Sequence, residues 1–159
     1  MAGMESLRHR ESIEINAPPE TVYDLVTDVS RTGQWSPVCK ESWYKDGGGP
    51  RVGAVIVGKN VTPQREWQTE SEVVAADRPR AFAWVVNGNV ARWGYELEPL
   101  DDGARTRLTE SWEVLPSGVE FFSHKYGDDA GAQLDERRRA ALEGIPATLA
   151  AIKRVVEAE

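Results

Sequence analysis

The chain has 159 residues, 40% of them apolar and 28% charged, which is enough to bury the core of one domain and too little for two sizeable ones. A formal net charge of −7, from 19 Lys and Arg against 26 Asp and Glu, argues against a nucleic-acid partner, whose affinity would rest on basic residues displacing counterions. The single cysteine, Cys39, and the two histidines, His9 and His124, exclude a disulfide scaffold and leave no cluster of soft metal ligands, so neither a metal nor a cofactor is expected.

The first ten residues are polar and lack the apolar stretch of a secretory signal, so a cytoplasmic location is expected, with residues 1–9 as a frayed tail. No apolar run approaches the roughly 20 residues that cross a bilayer, which argues against integral membrane association. From Arg10 to Asn16 the chain alternates, with Glu11, Ile13 and Ile15 on one side and Ser12 and Glu14 on the other, the period of a half-buried strand. Pro18 and Pro19 then open a helix through Val22, Tyr23, Leu25 and Val26, and Val29 to Trp35 reads as a second short helix.

From Pro37 to Pro116 the sequence becomes alternating runs rich in Val, Thr and Trp, punctuated by Gly, Pro and Asp-Gly. Six antiparallel strands are expected over Val38–Tyr44, Ala54–Val61, Glu66–Ala75, Ala81–Asn87, Asn89–Glu98 and Arg105–Leu115. The turns at Asn87-Gly88-Asn89 and Asp101-Asp102-Gly103 use residues that tolerate positive φ, and the glycine run at 47–49 reads as a hairpin loop. Gly118 to Tyr126 reads as a short helix, and Asp128 or Asp129 as the cap of a long amphipathic one whose buried stripe is Leu134, Ala141, Ile145, Leu149, Ile152 and Val156. Pro146 has no N–H for the Leu142 carbonyl, so a bend is expected there. A meander of this length must curl, and one helix across its concave face would bury both apolar sides while leaving a gap of about 300 to 1,000 Å³ for a ligand.

This order of elements matches the helix-grip arrangement: an α+β fold in which a curved, antiparallel seven-stranded sheet wraps around a long kinked C-terminal helix, with two short helices after the first strand. The chain resembles the START-like (SRPBCC) superfamily, in its bacterial polyketide cyclase/dehydrase and lipid-transport branch. The resemblance is carried by the segment from Ile15 to Asp28, by Gln34-Trp35-Ser36-Pro37, by Phe82-Ala83-Trp84-Val85 with the stretch Trp93 to Pro99, and by Thr106 to Trp112. It covers about Arg10 to Val156 and implies one START-like domain over 1–159, holding an apolar or aromatic small molecule. The family has no invariant catalytic motif to carry over, so the site residues come from the alternation of this chain.

In the last strand Leu108, Glu110, Trp112 and Val114 share a face, which sets Glu110 inward, where a carboxylate is costly unless paired or protonated. Glu110 is therefore expected to bind ligand or act as a general acid, the alternative being an ion pair with Arg92. Phe82 and Trp84 face inward on one strand, Trp93 and Tyr95 on the next, and Trp67, Thr69 and Ser71 on the strand before, so together they would wall a pocket. Trp35 and Trp43 are expected at its entrance, as lid or edge plug, and Phe121, Phe122, His124 and Tyr126 as a gate at the other end. Two functions follow: a carrier, store or sensor of a hydrophobic or aromatic molecule, or a cyclase/dehydratase using Glu110 and Tyr95 as acid and base. A third is a protein-interaction module with a vestigial cavity.

Overall fold

The computed structural model describes residues 7–159. Seven strands among them form one antiparallel sheet: β1 (Arg8–Ile15), β2 (Cys39–Tyr44), β3 (Val55–Val61), β4 (Glu66–Asp77), β5 (Ala81–Val86), β6 (Ala91–Leu100) and β7 (Arg105–Val114). Their spatial order is β1-β7-β6-β5-β4-β3-β2. The meander therefore runs by nearest-neighbour hairpins from β2 to β7, and only β1 reaches its partner by a long connection. That connection contains helix α1 (Pro19–Val26) and a 3₁₀ segment, Val29–Gln34. Helix α2 (Pro116–Tyr126) and helix α3 (Ala130–Ala158) complete the chain.

The arrangement is the expected α+β helix-grip fold, and local chemistry explains most of its boundaries. Pro19 opens α1 at a position where its missing N–H costs nothing. Asn87, Gly88 and Asn89 all have positive φ at the β5–β6 turn, as do Asp101, Asp102 and Gly103 between β6 and β7. The glycine run at 47–49 lies in the β2–β3 hairpin connection.

Two details differ from the sequence reading. Leu7 is buried and β1 begins at Arg8, so Arg8 and His9 belong to the sheet and not to a frayed tail; the rest of that expected tail lies outside the described residues. The first of these strand residues already pairs with Glu113 of β7, because the alternating pattern continues back beyond Arg10. Asp129 does precede α3, yet its carboxylate accepts from the Gln133 side chain at 2.9 Å and caps no backbone N–H. Helix α3 spans 29 residues with Pro146 inside it, on the exposed side where the missing hydrogen bond is open to solvent.

Helix α3 lies across β1 and β7 and touches α1 and α2. Ile145, Leu149 and Ile152 are fully buried beneath it, against Ile15, Val22 and Leu108. Its last turns are tied down by polar contacts: Lys153 donates to the Glu14 carbonyl at 2.8 Å and Glu157 accepts from the Asn16 backbone N–H at 2.8 Å. The helix is thereby held to one side of the curved sheet, and the concave faces of β3 to β6 are left for the site.

Candidate functional site

Residues directly opposite one another in an antiparallel ladder share a face, so the register defines the inner surface. Across β1, β7, β6 and β5 one row reads Glu11, Glu110, Tyr95 and Phe82, and the row beside it reads His9, Trp112, Trp93 and Trp84. Val73 follows Trp84 on β4, and Ser71, Thr69 and Trp67 continue that strand's inner face. The expected aromatic wall is thus on one face: Phe82 and Trp84 have ring centroids 5.6 Å apart, Trp84 and Tyr95 5.7 Å, and Trp93 and Trp112 6.4 Å.

Burial falls along this face from one end to the other. Toward α1, Phe82, Leu97, Leu108 and Ile15 are sealed, and Phe82 meets the Tyr23 ring edge-on. Toward α2, Trp84, Trp93, Trp67 and Thr69 are half-buried, so solvent reaches this end of the face. Two open depressions of about 360 Å³ lie elsewhere: one against Glu70, Glu72 and Asn87–Asn89, the other against Asp24, Asp28, Tyr44 and Gly48–Pro50. Neither is lined by Phe82, Trp84, Trp93, Tyr95 or Trp112.

Glu110 is the polar centre of the inner face. Only 4% of it is exposed, and its Oε1 is buried without a hydrogen-bond partner. Burial pushes its carboxyl up to about 8, so at neutral pH it is largely the uncharged acid. Arg92 is not its partner, because Arg92 lies opposite Glu113 and Val85 on the outer face and is exposed. Tyr95 stands directly across from Glu110. Burial raises the Tyr95 phenol well above its usual range, the neighbouring Glu110 adds to the rise, and a hydrogen bond with the Trp35 indole opposes it.

The remaining sequence-predicted residues divide. Trp35 is buried at the end of the 3₁₀ segment and reaches Tyr95, which makes it part of the core packing and not a lid. Trp43 points away from the site: it is 40% exposed on the outer face, with the Lys59 ammonium 5.7 Å from its ring centroid. Its strand neighbours Ser42 and Tyr44 take the inner positions instead, and the Tyr44 hydroxyl donates to the Thr27 carbonyl at 2.7 Å. Of the residues expected as a gate, Phe122 is buried under the Arg137 guanidinium and 5.4 Å from the Tyr126 ring, whereas Phe121 and His124 face solvent.

Two residues escaped the sequence reading. His9 and Glu11 on β1 face the same side as Trp112 and Glu110, and His9 Nε2 is 2.7 Å from Glu11 Oε2. The signal was present, since the alternation of Ile15, Ile13 and Glu11 extends back to His9. Among the described residues no three His, Cys, Asp or Glu side chains converge as a metal site.

Comparison with known proteins places this geometry. Residues 6–156 match the family described as polyketide cyclase / dehydrase and lipid transport. The chain belongs to this family. It is 49% identical to a Polyketide_cyc-like protein from Corynebacterium glutamicum whose solution structure superposes with a TM-score of 0.70, covering 95% of this chain and 91% of that one. A START superfamily protein from Mycobacterium smegmatis shares the fold at 17% identity and a TM-score of 0.67, over 95% of this chain and 97% of that one. So does the di-domain ARO/CYC protein StfQ from the steffimycin biosynthetic pathway, at 11% identity and a TM-score of 0.67, with 96% of this chain matching 51% of StfQ. No curated protein sequence matches at a significant level. No helix among the described residues is long and apolar enough to cross a membrane.

Proposed function

We propose that this protein binds a small hydrophobic or aromatic molecule between the concave face of the sheet and helices α2 and α3, for transport, sequestration or sensing. The observation that carries the reading is Glu110: a buried carboxyl with an unpartnered oxygen, on the same face as Phe82, Trp84, Trp93, Tyr95 and Trp112. An orphaned buried polar atom costs about 1–3 kcal/mol, and a ligand that supplies its partner recovers that cost. The apolar part of the ligand then replaces water on the half-buried indoles of Trp84 and Trp93. The family description, which joins cyclases, dehydrases and lipid transport, supports the hydrophobic class of ligand.

The test has two arms. Mass spectrometry of an organic extract of the purified protein is expected to recover a bound apolar compound. Titration with the neutral aromatic probe N-phenyl-1-naphthylamine is expected to quench tryptophan emission saturably. An empty extract together with linear, non-saturating quenching would overturn the reading.

A second reading, a cyclase or dehydratase, is favoured by the same pair in a different role. An uncharged Glu110 can donate a proton to a carbonyl oxygen while Tyr95, facing it across the ladder, holds the substrate by its hydroxyl. On this reading Glu110→Gln abolishes turnover of a poly-carbonyl substrate and leaves probe binding intact. Retention of full turnover by that variant would remove Glu110 from the chemistry.

A further inference from the structure

The concave face around Glu110 carries two carboxyl groups, Glu11 and Glu110, and only Glu11 has a basic partner, His9. Glu11 and Glu110 are direct cross-strand partners, with Tyr95 on the far side of Glu110 and His9, Trp112 and Trp93 one pleat along. Among the described residues no lysine or arginine forms a hydrogen bond or ion pair with either glutamate. On the ladder beside them Arg10 and Arg107 lie on the outer face, with Glu96 at 2.8 Å and Glu98 at 2.5 Å, and on α3 Arg138 is held by Asp135 at 2.5 Å and Arg137 lies over the Phe122 ring. The imidazole of His9 is committed to Glu11 at 2.7 Å. Glu110 therefore keeps a buried oxygen with no donor, on the same face of the sheet as Trp93 and Trp112.

We propose that the occupant of this face is an amphiphile whose head is a protonated primary amine, seated between Glu110 and the indoles of Trp93 and Trp112. This rests on the binding reading above and names its ligand class. An ammonium carries three donors, which suit Glu110 Oε1, the lone pairs of the Tyr95 hydroxyl and the Glu11 carboxylate at the β1 edge. It is also attracted by indole faces, an interaction of roughly 0.5–2 kcal/mol depending on desolvation. Glu110, uncharged by itself, gives up its proton on meeting an ammonium. A carboxylate or phosphate head would instead meet the Glu11 carboxylate and no free cation, and a hydroxyl head would satisfy one hydrogen bond and leave Glu110 uncharged. The apolar tail has one direction open to it, along Trp84 toward Thr69 and Trp67, because the α1 end is sealed. The net charge of −7 draws such a cation toward the molecule as a whole.

Decylamine, decanol and decanoate share a tail and differ only in the head, so titrating each into the wild-type protein and following tryptophan emission separates head from tail. Decylamine is expected to bind at least tenfold more tightly than decanol, with decanoate the weakest. Glu110→Gln is expected to remove the advantage of the amine over decanol, and Glu11→Gln to reduce that advantage severalfold. Decanol or decanoate binding as tightly as decylamine overturns the amine proposal and leaves the hydrophobic-ligand reading standing. Saturable binding by none of the three overturns the hydrophobic-ligand reading itself. The wild-type series decides between these outcomes even if Glu110→Gln fails to fold.

Discussion

Glu110 belongs to β7 by the ordinary logic of alternation, yet every apolar neighbour on its face would be better served by a leucine. Burial holds its carboxyl at about 8 in the folded protein, above the unfolded value of about 4.5, and a difference of this kind is a statement about stability. Below pH 4.5 both states are protonated and the residue is neutral in the balance. Between about 4.5 and 8 the folded state holds a proton that the unfolded state has lost, so folding stability falls as the pH rises, by an amount on the order of a few kcal/mol over the interval. Above 8 the loss is complete. Glu110→Gln removes this titration, so the variant is expected to gain stability relative to wild type on going from pH 5 to pH 8.5, as read by urea midpoints at each pH. Parallel pH profiles for the two proteins would show that Glu110 is already ionised or partnered in the fold. A site that keeps such a residue sacrifices stability for a polar group at a chosen depth, which is the pattern expected of function and not of packing.

At the scale of elements, the half-open end of the inner face is shaped by how closely α2 approaches the β5–β6 turn. The Leu115 N–H donates to the Val90 carbonyl at 3.0 Å and the Ser117 hydroxyl donates to the Asn89 carbonyl at 2.6 Å. Gly118 makes that approach possible: a Cβ there would stand 2.0 Å from the Val90 oxygen. Gly118→Ala must therefore push α2 off the turn and is expected to cost about 1–3 kcal/mol, the range for overpacking a tight contact. Glu120→Ala, exposed on the same helix, should be close to neutral, and equal melting temperatures for the two variants would refute the clamp. The strands and most turns were legible in sequence because period-two alternation and Asn-Gly chemistry are local. What alternation could not supply was the depth of each inner residue, since that depends on where the helices lie. Trp84 and Phe82 alternate identically, yet one is half-buried and the other sealed. Trp43 misled because β2 is an edge strand with a register irregularity between Cys39 and Glu41, which sets Trp43 outward with its outer-face neighbour Val57. His9 was overlooked because a polar opening segment resembles a tail until its pairing partner, six strands further along the chain, is known, and Glu11, although read beside Ile13 and Ile15, because nothing local sets it opposite Glu110.

For the whole molecule, the order of the sheet makes the two ends of the chain mutually dependent. β1 completes the ladder only against β7, and α3 finds its seat chiefly on β1 and β7, with α1 and α2 beside it. One buried cluster accordingly runs from Leu7 through Val22, Val73, Leu108 and Trp112 to Ile152 and Val156. Neither the six-strand meander nor the final helix can bury its apolar side alone, so the chain should lose both together. Unfolding is expected to be a single transition in which helical circular dichroism and tryptophan emission coincide, with a calorimetric enthalpy equal to the van't Hoff value. Ile152→Ala, which removes a fully buried side chain at the junction of α3 with β1, is expected to lower both signals' midpoints equally, by about 2–5 kcal/mol of stability. Loss of the helical signal ahead of the tryptophan signal would mean that α3 docks on a sheet already stable without it. In that case the chain would not be one cooperative domain, and the space between sheet and helix would open by release of α3, not by movement near α2.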